Sequence, residues 1–248
     1  MIKLKSAAEI KKMRQAGKIV AAVLQEMERA VAAGVTTGSL DKRAERIIRR
    51  AGALPAFLGY HGYPASICTS INEEVVHGIP GLRKLQEGDI ISIDVGACLD
   101  GYYADAAVTF AVGKISPQAQ KLIEVTRRSL EKAIEAMQCG AHLSDVSHAV
   151  QSYAEARGFS IVRSYCGHGI GTAMHEEPQV PNFGRPGRGP LLQPGMVLAV
   201  EPMINAGGWQ VEVLADQWTV VTRDRSLSAH FEHTIAVGEN GPEILTVL

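Results

Sequence analysis

The stretch from Ile90 to Val112 constrains this chain more than any other, because its strand register can be read from its turn. IISIDVGACL (Ile90–Leu99) and YYADAAVTFAV (Tyr102–Val112) are rich in β-branched and aromatic residues and read as two strands. Asp100-Gly101 between them is the dipeptide of a two-residue hairpin loop, where both positions accept positive φ. That loop predicts Leu99 opposite Tyr102 and Asp94 opposite Ala107. Side chains alternate along a strand, so Asp105 shares a face with Ala107 and with Asp94. The two carboxylates become diagonal neighbours, roughly 7 Å or less apart at Cβ. Such a spacing suits two metal ions about 3.5–4 Å apart. Two acids on a hairpin are ordinarily solvated. Asp94, however, interrupts Ile90-Ile91-Ser92-Ile93-Asp94-Val95, which reads as buried, and a buried carboxylate needs a partner.

The other properties of the chain narrow the class. Its 248 residues are enough for one large domain or two small ones, and 46% hydrophobic residues supply a sizeable core. Lys and Arg number 25 against 26 Asp and Glu, so net charge argues against a nucleic-acid surface. The densest cationic cluster, Arg43 to Arg50, has helical spacing around Ile47-Ile48 and reads as a solvated helix face. No apolar run approaches a membrane span, and MIKLKSAAEIKKM lacks the apolar stretch of a signal peptide. Cys68, Cys98, Cys139 and Cys166 form no CxxC pair and fit free thiols in a reducing cytoplasm.

Helices bracket the hairpin. Ser6-Ala7-Ala8-Glu9 is a capping box, predicting a helix to about Ala33 that Gly34 ends. A second helix is predicted from about Ser39 to Arg50, stopped at Gly52. Pro55 to Thr69 reads as a strand and a loop, and His77 sits at a turn before Gly78 and Pro80. Ser116-Pro117 opens a third helix, to about Gln138, and a fourth follows from about Ser144 to Ala156.

These elements repeat. A shift of 106 positions carries Gly34 onto Gly140, Leu40 onto Val146 and Gly52 onto Gly158. A shift of 107 carries His61-Gly62 onto His168-Gly169 and Asp94 onto Glu201. After a longer insertion, the segment from Asp105 to Gly113 parallels that from Glu232 to Gly238. The expectation is a pseudo-twofold α+β fold, with halves of about 1–113 and 114–248, each carrying two helices and a strongly bent antiparallel sheet. Carboxylates of the two hairpins would converge between the halves, a usual place for a site.

Four acids, Asp94, Asp105, Glu201 and Glu232, each lie in an apolar strand, and their four charges would balance two divalent cations. With His168 they make an oxygen-rich donor set with one nitrogen, which suits Mn, Fe or Co better than a structural zinc. Cys166-Gly167-His168-Gly169-Ile170-Gly171 has the wrong spacing for a dinucleotide loop, and His175-Glu176-Glu177-Pro178 is not the zinc helix motif HExxH.

INEEVVHGIP, DIISIDVGACLDGYYADAAVTF, YCGHGIGTAMHEEPQVPNF, GMVLAVEPMINAGG and SAHFEHTIAVG together resemble the type I methionine aminopeptidases, over nearly the whole chain. No N-terminal zinc-binding extension or large internal insertion is seen, as in the short bacterial form. The resemblance implies a pita-bread fold and a single catalytic peptidase domain over 1–248. It implies Asp94, Asp105, His168, Glu201 and Glu232 as ligands of two divalent ions (Co, Mn, Fe or Zn), with Asp105 and Glu232 bridging. Catalytic roles fall to His77, His175 and Glu201, and a methionine pocket to Tyr60, Tyr63, Cys68, Met174 and Trp218. Two positions depart from the family pattern: Val76 stands where many relatives have Cys, and Met174 where Phe is frequent.

The implied activity is removal of the initiator methionine from nascent proteins by metal-activated water, with a small second residue preferred. The expected setting is a cytoplasmic monomer acting on N-terminal Met peptides, with ribosome contact and neither stable nucleic-acid binding nor a membrane. Two alternatives are an Xaa-Pro aminopeptidase or prolidase-like enzyme of the same fold, expected to carry a further N-terminal domain, and a metal-free binding module that has lost catalysis.

Overall fold

The computed structural model describes residues 1–248. Nine strands form one curled sheet, numbered here in chain order: β1 (Leu54–Pro55), β2 (Ile67–Ile71), β3 (Ile90–Leu99), β4 (Tyr102–Ala111), β5 (Gly167–Gly169), β6 (Glu176–Val180), β7 (Val197–Val200), β8 (Glu232–Gly238) and β9 (Gly241–Ile244). All paired strands run antiparallel in the order β1-β3-β4-β8-β7-β5-β6, with β2 also on β3 and β9 also on β8. This is the pita-bread arrangement, a bent sheet covered by helices.

The hairpin holds its predicted register. Leu99 pairs with Tyr102 and Asp94 with Ala107, across Asp100 and Gly101 at φ 50° and 78°. Beyond it the sheet is extended by contacts far apart in sequence. β4 meets β8 through Ala107–Glu232 and Ala106–His233, which brings the two hairpins edge to edge at the sheet centre.

Four helices cover the sheet. Helix α1 (Ala7–Ala30) starts from the Ser6/Glu9 capping box. It ends three residues before the predicted Ala33, because Val31 already turns to an extended backbone. Helix α2 (Thr37–Arg50) starts two residues early, since the Thr36 hydroxyl, not that of Ser39, accepts from the first turn through Ser39 N. Helix α3 (Pro117–Ala136) is capped by Ser116, and α4 (Leu143–Glu155) by the pair His142 and Asp145.

The apolar interior is divided. Val20, Met27, Leu40 and Ile48 of α1 and α2 pack on Ile67, Ile91 and Ile93. Leu122, Leu130, Val146 and Val150 of α3 and α4 pack on Leu198 and Ile235. Each such side chain contributes about 1.5–3 kcal/mol on full burial. A third, smaller cluster of Met13, Phe57, Tyr63, Cys68, Met174 and Leu245 lies between these cores and walls the cavity described below. Gly17 lets α1 approach that cluster, since a Cβ there would meet the Leu245 carbonyl.

One expectation from the repeat fails. His61 lies in a one-turn 3-10 helix (Tyr60–Gly62), not on a strand. In the sheet His168 pairs with Ala199, whereas Ser92, 107 positions before Ala199, pairs with Ser70. Ser70 is thus the first-half position that matches His168. A gap-free shift misses this because the two connections preceding these strands differ in length.

Candidate metal centre and substrate cavity

Strand register alone gathers the acidic residues. Cys68 pairs with Asp94, Asp94 with Ala107, and Ala107 with Glu232. His233 pairs with Val200, so Glu201, one residue on, falls opposite Glu232. Cys68, Asp94, Ala107, Glu232 and Glu201 therefore form a single row across five strands, all facing one way. Asp105 lies two residues from Ala107, and His168 pairs with Ala199, two residues from Glu201, so both share that face. Alanine at the centre of the row leaves room between the flanking carboxylates.

The resulting cluster is buried and close. Asp105, His168 and Glu232 are 2%, 8% and 3% exposed, and their ligand atoms lie within 4.8 Å of one another, a group able to hold a metal ion. His168 Nε2 is 3.4 Å from Asp105 Oδ2 and 3.7 Å from Glu201 Oε1. Its Nδ1 lies 2.9 Å from the Gly169 carbonyl, which fixes the ring and turns Nε2 to the acids. The Thr234 hydroxyl donates to Asp105 Oδ1 at 2.9 Å and holds that carboxylate.

Burial and mutual repulsion make four ionised carboxylates untenable without added positive charge. Burial, then the charges of Asp105 and Glu201, push Asp94 well above the carboxylate range. Burial and the same two neighbours do so for Glu232. Burial raises Glu201 to about 8 against an opposing effect of His168. Burial would lower His168, but its hydrogen bond to Asp105 and the nearby acids outweigh this and raise it to about 9. Asp94 Oδ1 is buried with no hydrogen-bond partner. An acid-rich donor set, one fixed imidazole and an unpartnered carboxylate oxygen fit divalent cations.

These residues floor a cavity of about 180 Å³. It is lined by every residue assigned from the sequence to the metal site, to catalysis or to the methionine pocket: Asp94, Asp105, His168, Glu201 and Glu232, with Tyr60, Tyr63, Cys68, His77, Met174, His175 and Trp218. Phe57 and His61 line it as well; Phe57 carries no sequence signal beyond its place in the Pro55–Thr69 segment, and His61 is marked only by the repeat. Tyr63 is anchored by donating to the carbonyls of Gly78 (2.9 Å) and Ile67 (3.2 Å), and its ring meets Trp218 edge-on at 5.1 Å. Burial, reinforced by Asp94, keeps the Cys68 thiol protonated, so it acts as an apolar wall.

Two histidines flank the cluster. His77, at φ 61° just after a short strand (Glu74–Val76), lies edge-on to Tyr165 and Trp218, and burial lowers its pKa. His175 packs its ring 4.1 Å from that of His168, and burial and His168 push it down to about 4. Glu176 ties its segment down, accepting from Thr172 N and Ala173 N and pairing with Lys5 at 2.8 Å, both partners buried. A third histidine, His230, was missed by sequence reasoning. It is 2% exposed, its Nε2 has no partner, and it lies 4.0 Å from Glu201 Oε2.

Comparison with known proteins agrees with this geometry. Residues 11–239 match the profile of metallopeptidase family M24. The methionine aminopeptidase of Clostridium acetobutylicum is 57% identical over 100% of this chain and 99% of its own length. Methionine aminopeptidase 1 of Bacillus subtilis is 54% identical over 99% of both. The crystal structure of the Thermotoga maritima methionine aminopeptidase superimposes with a TM-score of 0.99 at 48% identity, over 100% of each chain. Prolidase from Pyrococcus furiosus shares the fold alone, at a TM-score of 0.77 and 20% identity over 99% of this chain and 65% of that one. The match of profile, length and site places the chain in metallopeptidase family M24, among the methionine aminopeptidases.

Proposed function

We propose that this protein is a metal-dependent aminopeptidase that removes N-terminal methionine from peptides. The observation that carries this reading is the row of acids with His168 at the floor of a small cavity walled by aromatic and sulfur-bearing side chains. Asp94, Asp105, His168, Glu201 and Glu232 would hold two divalent ions. Bound there, such ions would lower the pKa of water and polarise the peptide carbonyl.

The chain's own residues do the rest. The acidic floor favours a cationic α-amine, which only the first residue of a peptide offers. Phe57, Tyr63, Cys68, Met174 and Trp218 form an apolar wall for an unbranched thioether side chain, with Tyr63 and Trp218 held rigid by the contacts above. Met174, flexible and polarizable, suits a thioether partner. Glu201, buried at the edge of the cluster, takes a proton from the attacking water and passes it to the leaving amine. His175, neutral at physiological pH, donates to the carbonyl oxygen as negative charge develops, and His77 hydrogen-bonds near the scissile nitrogen. A small second residue is part of this reading through the family resemblance. The natural substrates in this reading are nascent proteins carrying initiator methionine, processed by a monomer in the cytoplasm. No helix of the chain is long and apolar enough to cross a membrane.

The test is elemental analysis of freshly purified protein, followed by hydrolysis assays on Met-Ala and Xaa-Pro peptides after metal restoration. Metal-dependent release of methionine is expected. His168→Ala and Asp94→Ala should each abolish metal binding and turnover while the far-UV spectrum stays folded. Full activity in either variant, or cleavage of Xaa-Pro peptides alone, refutes the reading.

A further inference from the structure

The contact between Tyr60 and His175 has a chemical consequence beyond lining the pocket. Gly59, at φ 83°, opens the one-turn 3-10 helix that presents Tyr60, and the His61 ring backs it edge-on at 4.4 Å. The Tyr60 hydroxyl lies 2.7 Å from His175 Nδ1, and the two rings stack with centroids 5.2 Å apart and planes 30° apart. The His168 ring also lies close, its centroid 4.1 Å from that of His175. The imidazole thus contacts two rings and is gripped at one nitrogen.

A phenolic O–H is a donor that seeks an acceptor, and Nδ1 is the one hydrogen-bond partner the Tyr60 hydroxyl has in the structure. Accepting that bond needs a lone pair on Nδ1. A neutral imidazole carries one proton, so that proton must then sit on Nε2. Nδ1 is occupied by Tyr60, which leaves Nε2 as the nitrogen available to a ligand in the cavity His175 lines. The opposite tautomer would present a lone pair to a developing oxyanion and repel it.

We propose that Tyr60 is a positioning residue: its hydroxyl locks His175 in the Nε2–H tautomer and aims that donor at the carbonyl oxygen of the scissile bond. The inference rests on the aminopeptidase reading for what His175 does, but the lock itself is a property of the folded chain. It separates two jobs of one side chain. The ring of Tyr60 walls the pocket, while its hydroxyl acts through His175.

Tyr60→Phe separates them experimentally, because it keeps the ring and removes only the hydroxyl. Zinc-loaded protein labelled with ¹⁵N at histidine is compared by long-range ¹H–¹⁵N correlation, with the His175 resonances assigned from their loss in His175→Asn. Wild type should show one His175 tautomer, protonated at Nε2, and Tyr60→Phe should show a second. In steady-state cleavage of a Met-Ala peptide, kcat should fall about tenfold, the worth of one neutral hydrogen bond. KM should stay within about twofold, because the apolar wall is intact, and zinc content should not change. A single unchanged tautomer in Tyr60→Phe overturns the proposal, as does an unchanged kcat or a loss confined to KM. An inactive wild type that still shows the lock would defeat the aminopeptidase reading and leave the tautomer assignment standing.

Discussion

Metal-free protein should lose stability as pH rises from 6.5 to 8, and divalent metal should abolish that loss. In the folded chain Glu201 titrates near 8 against an ordinary 4.5, and His168 near 9 against 6.5. Asp94 and Glu232 are raised as well. Across this window the unfolded chain has released its carboxyl protons and is losing that of His168, while the folded chain still holds most of those on Glu201 and His168. The native state binds more protons, so its stability falls as pH rises. At about 1.4 kcal/mol per proton and pH unit, a net difference of about one proton gives a slope of roughly 1.4 kcal/mol per unit, on the order of 2 kcal/mol over the window. Below 6.5 the sign is opposed by His175, His230 and His233, which burial lowers to about 4, 3 and 4. Holding them neutral loses stability as pH falls, an effect that cancels the decline near 6.5, offsets part of it up to about pH 7.5 and is then spent. Bound metal takes the place of the retained protons, and its affinity rises with pH. The assay is urea unfolding at half-unit steps with chelator or with Mn²⁺. Chelated protein whose stability is flat or rising from pH 6.5 to 8 would refute the account of the acidic floor, and so would a slope that metal leaves unchanged.

Two further perturbations test the surroundings of the site. Lys5→Ala leaves Glu176 buried without its cation, which should cost about 3–5 kcal/mol in urea unfolding; kcat should fall as well, because Glu176 also holds the backbone of Thr172 and Ala173 beside His175. His230→Leu removes a buried nitrogen that has no partner, so its thermal midpoint should equal or exceed that of the wild type, and a clear drop would show that Nε2 is satisfied in solution.

The parts of this molecule legible in its sequence are those governed by local rules. Asp100-Gly101 fixes one hairpin, and period-two alternation then places Asp94 and Asp105 on one face. Ser6, Gly34 and Ser116-Pro117 mark helix ends to within a few residues. What was not legible depends on contacts between distant segments. Tyr60 and His175 are 115 positions apart and meet only because the 3-10 turn and the approach to β6 converge. His230 carries no sequence signal of its own, and only the fold sets it beside Glu201. Lys and Arg outnumber Asp and Glu twelve to five in the first fifty residues, and are outnumbered thirteen to twenty-one in the rest. A sum near zero thus conceals a basic α1–α2 layer.

The row from Cys68 to Glu201 explains why the acidic cluster can exist at all. Asp94, Asp105 and Glu232 sit on strands paired on both sides, and Glu201 directly follows another, so the sheet holds the acids at fixed spacing whether or not they are charged. Ala107 at the centre contributes no bulk and Cys68 at the end no charge, so there is room between Asp94 and Glu232, while Glu232 and Glu201 stand side by side. Repulsion cannot be relieved by a side chain swinging into solvent, because Asp105 and Glu232 are almost fully enclosed. It is relieved either by protons, as the raised pKa values of Asp94, Glu201 and Glu232 show, or by cations. A rigid sheet with an enforced excess of negative charge is therefore a site that trades protons for metal as pH rises, and the two loadings must compete.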